Sequence, residues 1–245
     1  MRRLFEYALY RALAFLVPLL PRRAMVFLGR RLGGLYYVLS PTSRAVGMEN
    51  LARAFPGRSG LAPLLRESLR LQGVAVLDAL WSARLTAERA RKWVAEGDVF
   101  REQLRKILAR GRGIVVATAH FGSWEMFNAV GGALGVGPST VISRPLANPL
   151  VDAHLRKMRE ARGNRLVPRE AAILACASAL RRGEIVCSVI DMAVLPQEGG
   201  VFIDFFGTPA LASLALPALA FRRAAPLAFA VCRPLERGLR YRIEA

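Results

Sequence analysis

A chain of 245 residues is long enough to bury a full core, and one domain with appendages is the expectation. It is 53% hydrophobic with a mean hydropathy of +0.29, yet it carries a formal charge of +18. That pairing speaks against a purely nucleic-acid-binding protein, which is usually basic and polar, and suits an anionic membrane surface. Of the 36 cations only Lys92, Lys106 and Lys157 are lysine. Arginine suits bidentate phosphate recognition, although a genome that favours Arg and Ala codons produces the same bias. Cys176, Cys187 and Cys232 are odd in number and widely spaced. They read as reduced core residues in a cytosolic compartment, not as a disulfide frame or a zinc site. With only His120 and His154 in the chain, a His-rich metal site is nearly excluded.

Residues 4–20, LFEYALYRALAFLVPLL, lie between the basic pairs Arg2–Arg3 and Arg22–Arg23. The longest uninterrupted apolar piece, Ala12 to Leu20, is short for a bilayer, and no small-residue cleavage site accompanies it. An interfacial or shallowly inserted helix is expected, with a single span with snorkelling ends and an ordinary core helix as the alternatives. Met25 to Leu39 reads as a second greasy helix alongside the first. Ser43 to Phe55 is expected to be helical and stopped by Pro56–Gly57. Leu65, Leu69, Val74, Leu77, Leu80 and Trp81 recur at helical spacing through Leu61 to Leu85, and Thr86 reads as the N-cap of a following short helix.

The sheet is expected to begin only at Gly113. Strands are predicted at Gly113–Ala119, Ser139–Ser143, Glu184–Ile190, Val201–Phe205, Leu227–Cys232 and Leu239–Ile243. They alternate with helices at Glu125–Leu134, Pro149–Arg162, Arg169–Arg182 and Leu211–Arg223. This predicts an α/β fold with a mainly parallel central sheet flanked by helices, sites lying at the strand ends. The expected divisions are a membrane-associated helical segment at 1–40, a helical region packing on the core at 41–110 and an α/β core at 111–245.

The stretch GIVVATAHFGSWEMFN, Gly113 to Asn128, is the focus of the chemistry. A β-branched run delivers His120 and Glu125 into a turn containing Gly122 and Ser123, followed by a buried helix. A strand ending in a His, with an acid in the first helical turn, makes an acid/base site. The backbone N–H groups of the helix start add a place for negative charge. The alternative is a satisfied strand-end His beside a Glu that merely favours the helix dipole. No GxSxG elbow is present, so Ser123 reads as an N-cap rather than a nucleophile, and no phosphate-binding P-loop follows the glycines Gly131, Gly132, Gly135 and Gly137. Arg144 and Asn148 in SRPLANP, Asp191 at the end of EIVCSVID, and Phe206 and Gly207 in IDFFG lie at later strand ends.

Taken together, these segments resemble the bacterial lipid A biosynthesis acyltransferase family, the lauroyl/myristoyl transferases, with their phosphatidylinositol mannoside relatives. MENLARAFPG, HFGSWE, SRPLANPLVDAHLRKMRE, GEIVCSVID and GVFIDFFGTPA occur in that family's order and approximate spacing. HFGSWE is similar to the H-x4-D/E signature of the wider glycerolipid acyltransferases. The resemblance implies an O-acyltransferase at the cytoplasmic face of the inner membrane, taking an acyl chain from an acyl-carrier-protein or acyl-CoA thioester to a hydroxyl of a lipid A precursor or similar glycolipid. It implies His120 as general base and Glu125 as its orienting partner. Arg144 would hold a phosphate, Asn148, Asp191, Phe206 and Gly207 would help bind substrate, and Phe121, Trp124 and Phe206 would line an apolar groove. No metal or cofactor beyond the donor thioester is called for, and no nucleic acid. The final stretch, LRYRIEA, reads as a strand in mid-course, where the family continues. A lysophospholipid or mannosylated-lipid acceptor, and a non-catalytic membrane-binding scaffold, are the alternatives.

Overall fold

The computed structural model describes all 245 residues. Its first part is helical: α1 (Arg2–Leu16), α2 (Arg22–Leu39), α3 (Pro41–Ala54), α4 (Leu61–Trp81), α5 (Ala87–Trp93), the two-residue strand β1 (Val94–Ala95) and α6 (Gly97–Leu108). Strands and helices then alternate: β2 (Ile114–Thr118), α7 (Trp124–Ala133), β3 (Ser139–Ile142), α8 (Pro149–Glu160), β4 (Asn164–Val167), α9 (Ala172–Arg181) and β5 (Ile185–Val189). After these come β6 (Gly200–Phe205), β7 (Thr208–Ser213), α10 (Ala215–Arg222), β8 (Leu227–Phe229), β9 (Val231–Leu235) and β10 (Arg240–Glu244). Both expected caps are formed: Thr86 Oγ1 accepts from Arg89 N at 3.2 Å and Ser123 Oγ from Met126 N at 3.3 Å.

The central sheet has five strands, all parallel, in the order β4-β3-β5-β2-β8. Its two faces are buried by different residues of the same strands, as the period of two requires. Ile114, Val116 and Ile185 pack with Met126, Phe127 and Val130 of α7 on one side, while Val115 and Val186 pack with Leu180 of α9 and Leu216 and Leu219 of α10 on the other. Connections through α7 and α8 run towards β4, and those through α9 and α10 run back towards β8. The direction therefore reverses at the adjacent pair β2 and β5, where a doubly wound sheet opens a crevice at its carboxyl edge.

Two expected strands lie outside this sheet. Val201–Phe205 becomes β6, paired only with β7 across a two-residue turn, and Leu239–Ile243 becomes β10 in a small sheet ordered β1-β10-β9. Leu227–Cys232 is two strands, broken at Ala230, whose N–H still reaches Ala117 O at 3.0 Å. The β7 strand shortens the expected helix Leu211–Arg223 to Ala215–Arg222, and its Pro209 is tolerated because β7 is an edge strand. The short strands β1 and β4 are too brief to show a period in the sequence.

Helices α2 and α4 approach so closely that a Cβ on Gly33 would collide with the Leu69 carbonyl oxygen, and one on Gly73 with that of Gly29. Gly33→Leu is expected to cost about 3 kcal/mol in urea unfolding. Gly34→Ala, whose added Cβ would meet only the Arg70 side chain at 3.5 Å, should leave stability unchanged or slightly improved. Equal losses at both positions would show that close approach does not govern this crossing.

The α2–α4 pair is joined to the chain's last strand by a buried polar centre. Arg22, 3% exposed, donates to Asp78, to Leu239 O at 3.0 Å and to Gly238 O at 2.7 Å. Tyr241 donates to the other Asp78 oxygen at 2.5 Å. No helix is long and apolar enough to cross a membrane. Helix α1 nonetheless has no buried residue, and α2 turns Leu28, Leu32, Leu35 and Leu39 outward at helical spacing. The cysteines are free. Burial pushes the Cys176 thiol up to about 11 and the Cys187 thiol up to about 12, which suits inert core residues.

Candidate active site

Strand β2 is buried along its whole length and ends at the carboxyl edge of the sheet, so the two residues beyond it emerge at the crevice. Gly122 then turns the chain at φ 66°, where any side chain would strike the Cys232 carbonyl oxygen. The close approach lets Ser123 N donate to that same oxygen at 3.2 Å, stapling the turn to β9. Ser123 caps α7, and the N–H groups of Trp124 and Glu125, in its first turn, have no acceptor in the chain.

The register of two neighbouring strands places His120. Thr118 of β2 stands beside Val189 of β5, so two residues further on His120 stands beside Asp191. Asp191 Oδ2 accepts from His120 N at 2.8 Å, and Oδ1 lies 2.9 Å from His120 Nδ1. An ionised carboxylate only accepts, so Nδ1 donates in this contact and, in the neutral ring, the lone pair is on Nε2. The Trp124 ring stands edge-on to the imidazole, centroids 5.0 Å apart. Both members of the pair are reachable, with side chains 42% and 39% exposed.

Glu125 is not the partner of His120, contrary to expectation. It is buried, and its carboxylate is paired with Arg159 of α8. The reason is positional: Glu125 lies inside the first turn of α7, whereas Asp191 lies two residues beyond the end of β5, level with His120 beyond β2. Arg159 of α8, which the sequence did not single out, lies 34 residues away and reaches Glu125 only through the fold.

The other expected residues divide. Arg144 follows β3 and is exposed, with no carboxylate partner. Val141, Cys187 and Val116 share one level across β3, β5 and β2, so three residues on Arg144 stands level with Ala119. Two strand spacings put it roughly 10 Å from the His120 strand. Asn148, expected to help bind substrate, is buried and engaged within the fold. It caps α8 by accepting from Leu150 N at 3.1 Å, and its amide donates to Arg3 O at 2.9 Å and Glu6 Oε2 at 3.0 Å. Both amide hydrogens are therefore spent on holding α1. Tyr10 and His154, 3.0 Å apart, hold the same helix further along. Phe206 and Gly207 form the β6–β7 turn, Phe206 against Phe55, and neither contacts the His120–Asp191 pair. Phe121 is 49% exposed beside His120 in sequence. A cavity of about 530 Å³ lined by Arg110 and Arg112 opens at the amino ends of the strands, the wrong edge for this pair.

An imidazole whose Nδ1 is held by a carboxylate, at the carboxyl edge of a parallel sheet, has the geometry to accept a proton at Nε2. The chain belongs to the bacterial lipid A biosynthesis acyltransferase family, whose family model matches residues 1–245. It is similar to the lipid A biosynthesis palmitoleoyltransferase of Escherichia coli (strain K12) and to a lipid A biosynthesis acyltransferase of Shigella flexneri. Each is 25% identical over 197 residues, covering 79% of this chain and 62% of the relative. The chain thus spans less than two thirds of the length of these curated relatives.

Proposed function

We propose that this protein transfers a fatty acyl chain from an acyl-carrier-protein or coenzyme A thioester to a hydroxyl of a lipid A precursor or similar glycolipid, at the cytoplasmic face of the inner membrane. The observation that carries the reading is the His120–Asp191 contact at the sheet's carboxyl edge, in a chain of this family. His120 Nε2 takes the proton of the acceptor hydroxyl as its oxygen attacks the thioester carbonyl. Asp191 balances the imidazolium that forms, and the N–H groups of Trp124 and Glu125 face the oxyanion. The tetrahedral intermediate then expels the thiolate, which takes the proton back from His120. Arg144, level with the site and unpaired, holds a phosphate of the acceptor or of the donor's pantetheine arm. Phe121 and Trp124 contact the acyl chain, and Glu125 with Arg159 fixes the turn from which His120 projects. The reaction draws on no cofactor beyond the donor thioester.

The exposed apolar faces of α1 and α2, interrupted by arginines, support contact with an anionic bilayer through these two helices. The reaction is tested with radiolabelled acyl thioesters and a panel of lipid acceptors. His120→Ala is expected to lower transfer roughly 10²–10⁴-fold, the usual contribution of a general base. Transfer at the wild-type rate in this variant would overturn the mechanism, and transfer to lysophospholipid alone would overturn the acceptor.

A further inference from the structure

The hairpin β6–β7 is an apolar element that the chemistry leaves unused. It follows within ten residues of Asp191, and it is a two-stranded ribbon with no third strand. Phe202, Ile203, Phe205 and Phe206 are 69, 44, 59 and 57% exposed. A lone two-stranded ribbon is marginal in water and gains from a surface that covers it. The turn points the same way. Phe206 and Gly207 both have positive φ, 54° and 71°, a geometry that favours Asn-Gly. An aromatic residue is held at the tip against its backbone preference, which directs attention to what its side chain does.

The Phe206 ring lies 6.0 Å from Phe55 and 4.7 Å from Phe205, and the Arg58 guanidinium stacks over Phe55 at 5.2 Å. Arg58 has no carboxylate partner, so its charge is left for an external anion. The same pairing recurs along the neighbouring helices, with Arg31 over Phe27 at 4.9 Å and Arg44 and Arg66 over Tyr37 at 5.5 and 5.6 Å. Aromatic rings bordered by unneutralised guanidinium groups match the interface of an anionic bilayer, where rings enter the acyl boundary and arginines meet phosphates.

We propose that the β6–β7 hairpin is a second lipid-inserting element, its Phe205–Phe206 tip entering an anionic bilayer while Arg58 binds headgroup phosphate. This rests on the reading of α1 and α2 as membrane-facing and extends it. Because the hairpin leaves from the segment that carries Asp191, its insertion sets how far the His120–Asp191 pair stands from the lipid plane.

The test uses the full chain with phosphatidylcholine vesicles, with and without phosphatidylglycerol. In Phe206→Trp, the emission added to that of Trp81, Trp93 and Trp124 is expected to be quenched by brominated acyl chains. Phe205→Ser/Phe206→Ser should lower partitioning into phosphatidylglycerol vesicles roughly tenfold or more. Arg58→Gln should weaken binding to those vesicles and leave binding to phosphatidylcholine alone unchanged. Circular dichroism of the double variant checks that it folds, and the tryptophan quenching stands independently of it. Sedimentation with vesicles while the added tryptophan stays unquenched would overturn the hairpin proposal and leave the α1–α2 reading standing. No sedimentation with either vesicle would overturn both.

Discussion

Replacing Arg22 by methionine is expected to cost the fold about 3–5 kcal/mol, a large part of what a domain of ordinary stability possesses. Asp78 is fully buried, and burial pushes its carboxyl up, while Arg22 and Tyr241 pull against that burial. Removing Arg22 strands this group and also orphans the carbonyls of Gly238 and Leu239. The Arg22 guanidinium lies 4.9 Å from the Trp81 ring and 5.4 Å from that of Tyr241, so an apolar substitute fills the space without supplying the charge. The double variant Arg22→Met/Asp78→Leu should therefore recover much of the loss, because no buried charge is then left alone. Urea unfolding of the two variants decides the matter. A loss below about 1 kcal/mol in the single variant, the range of an exposed ion pair, would show that the centre is not the clamp described here. Because α4, which carries Asp78, packs against α7, the loosening should also be felt at the turn that carries His120.

The second large effect separates the two carboxylates near the site. Asp191→Asn is expected to lower the turnover of acyl transfer about 10²-fold or more with little change in thermal stability. The amide is neutral and no longer specifies which imidazole nitrogen carries the proton. Glu125→Gln should instead destabilise the fold by about 1.5–3 kcal/mol, the worth of a hydrogen bond to a charged group, because Arg159 loses a buried anion. Kinetics and melting of both variants are read side by side. A silent Asp191→Asn beside a Glu125→Gln of full stability and collapsed turnover would return Glu125 to the role of orienting His120.

What could be read from the residues was local. The VATAH run, the Gly122 turn and the Ser123 cap are consequences of short-range preferences, and each is where the pattern places it. The same holds for Thr86 as a cap and for the helix ending before Pro56–Gly57. The hairpin is not legible in the sequence because β7, with its alanines and Pro209, carries no strand period, so IDFFG reads as a strand end facing the site.

By itself the sequence determined the α/β class, the order of the long helices and of most of the central strands, and the position of His120 just beyond β2. These depend on apolar periodicity and on backbone chemistry within a few residues. The tertiary structure decided the partners. That β5 lies directly beside β2 makes Asp191 the neighbour of His120, 71 residues away. The fold brings Arg159 of α8 to Glu125, and that α1 lies on α8 spends the Asn148 amide. Strand order and helix docking are set by the summed burial of many side chains, and no spacing within one segment records them.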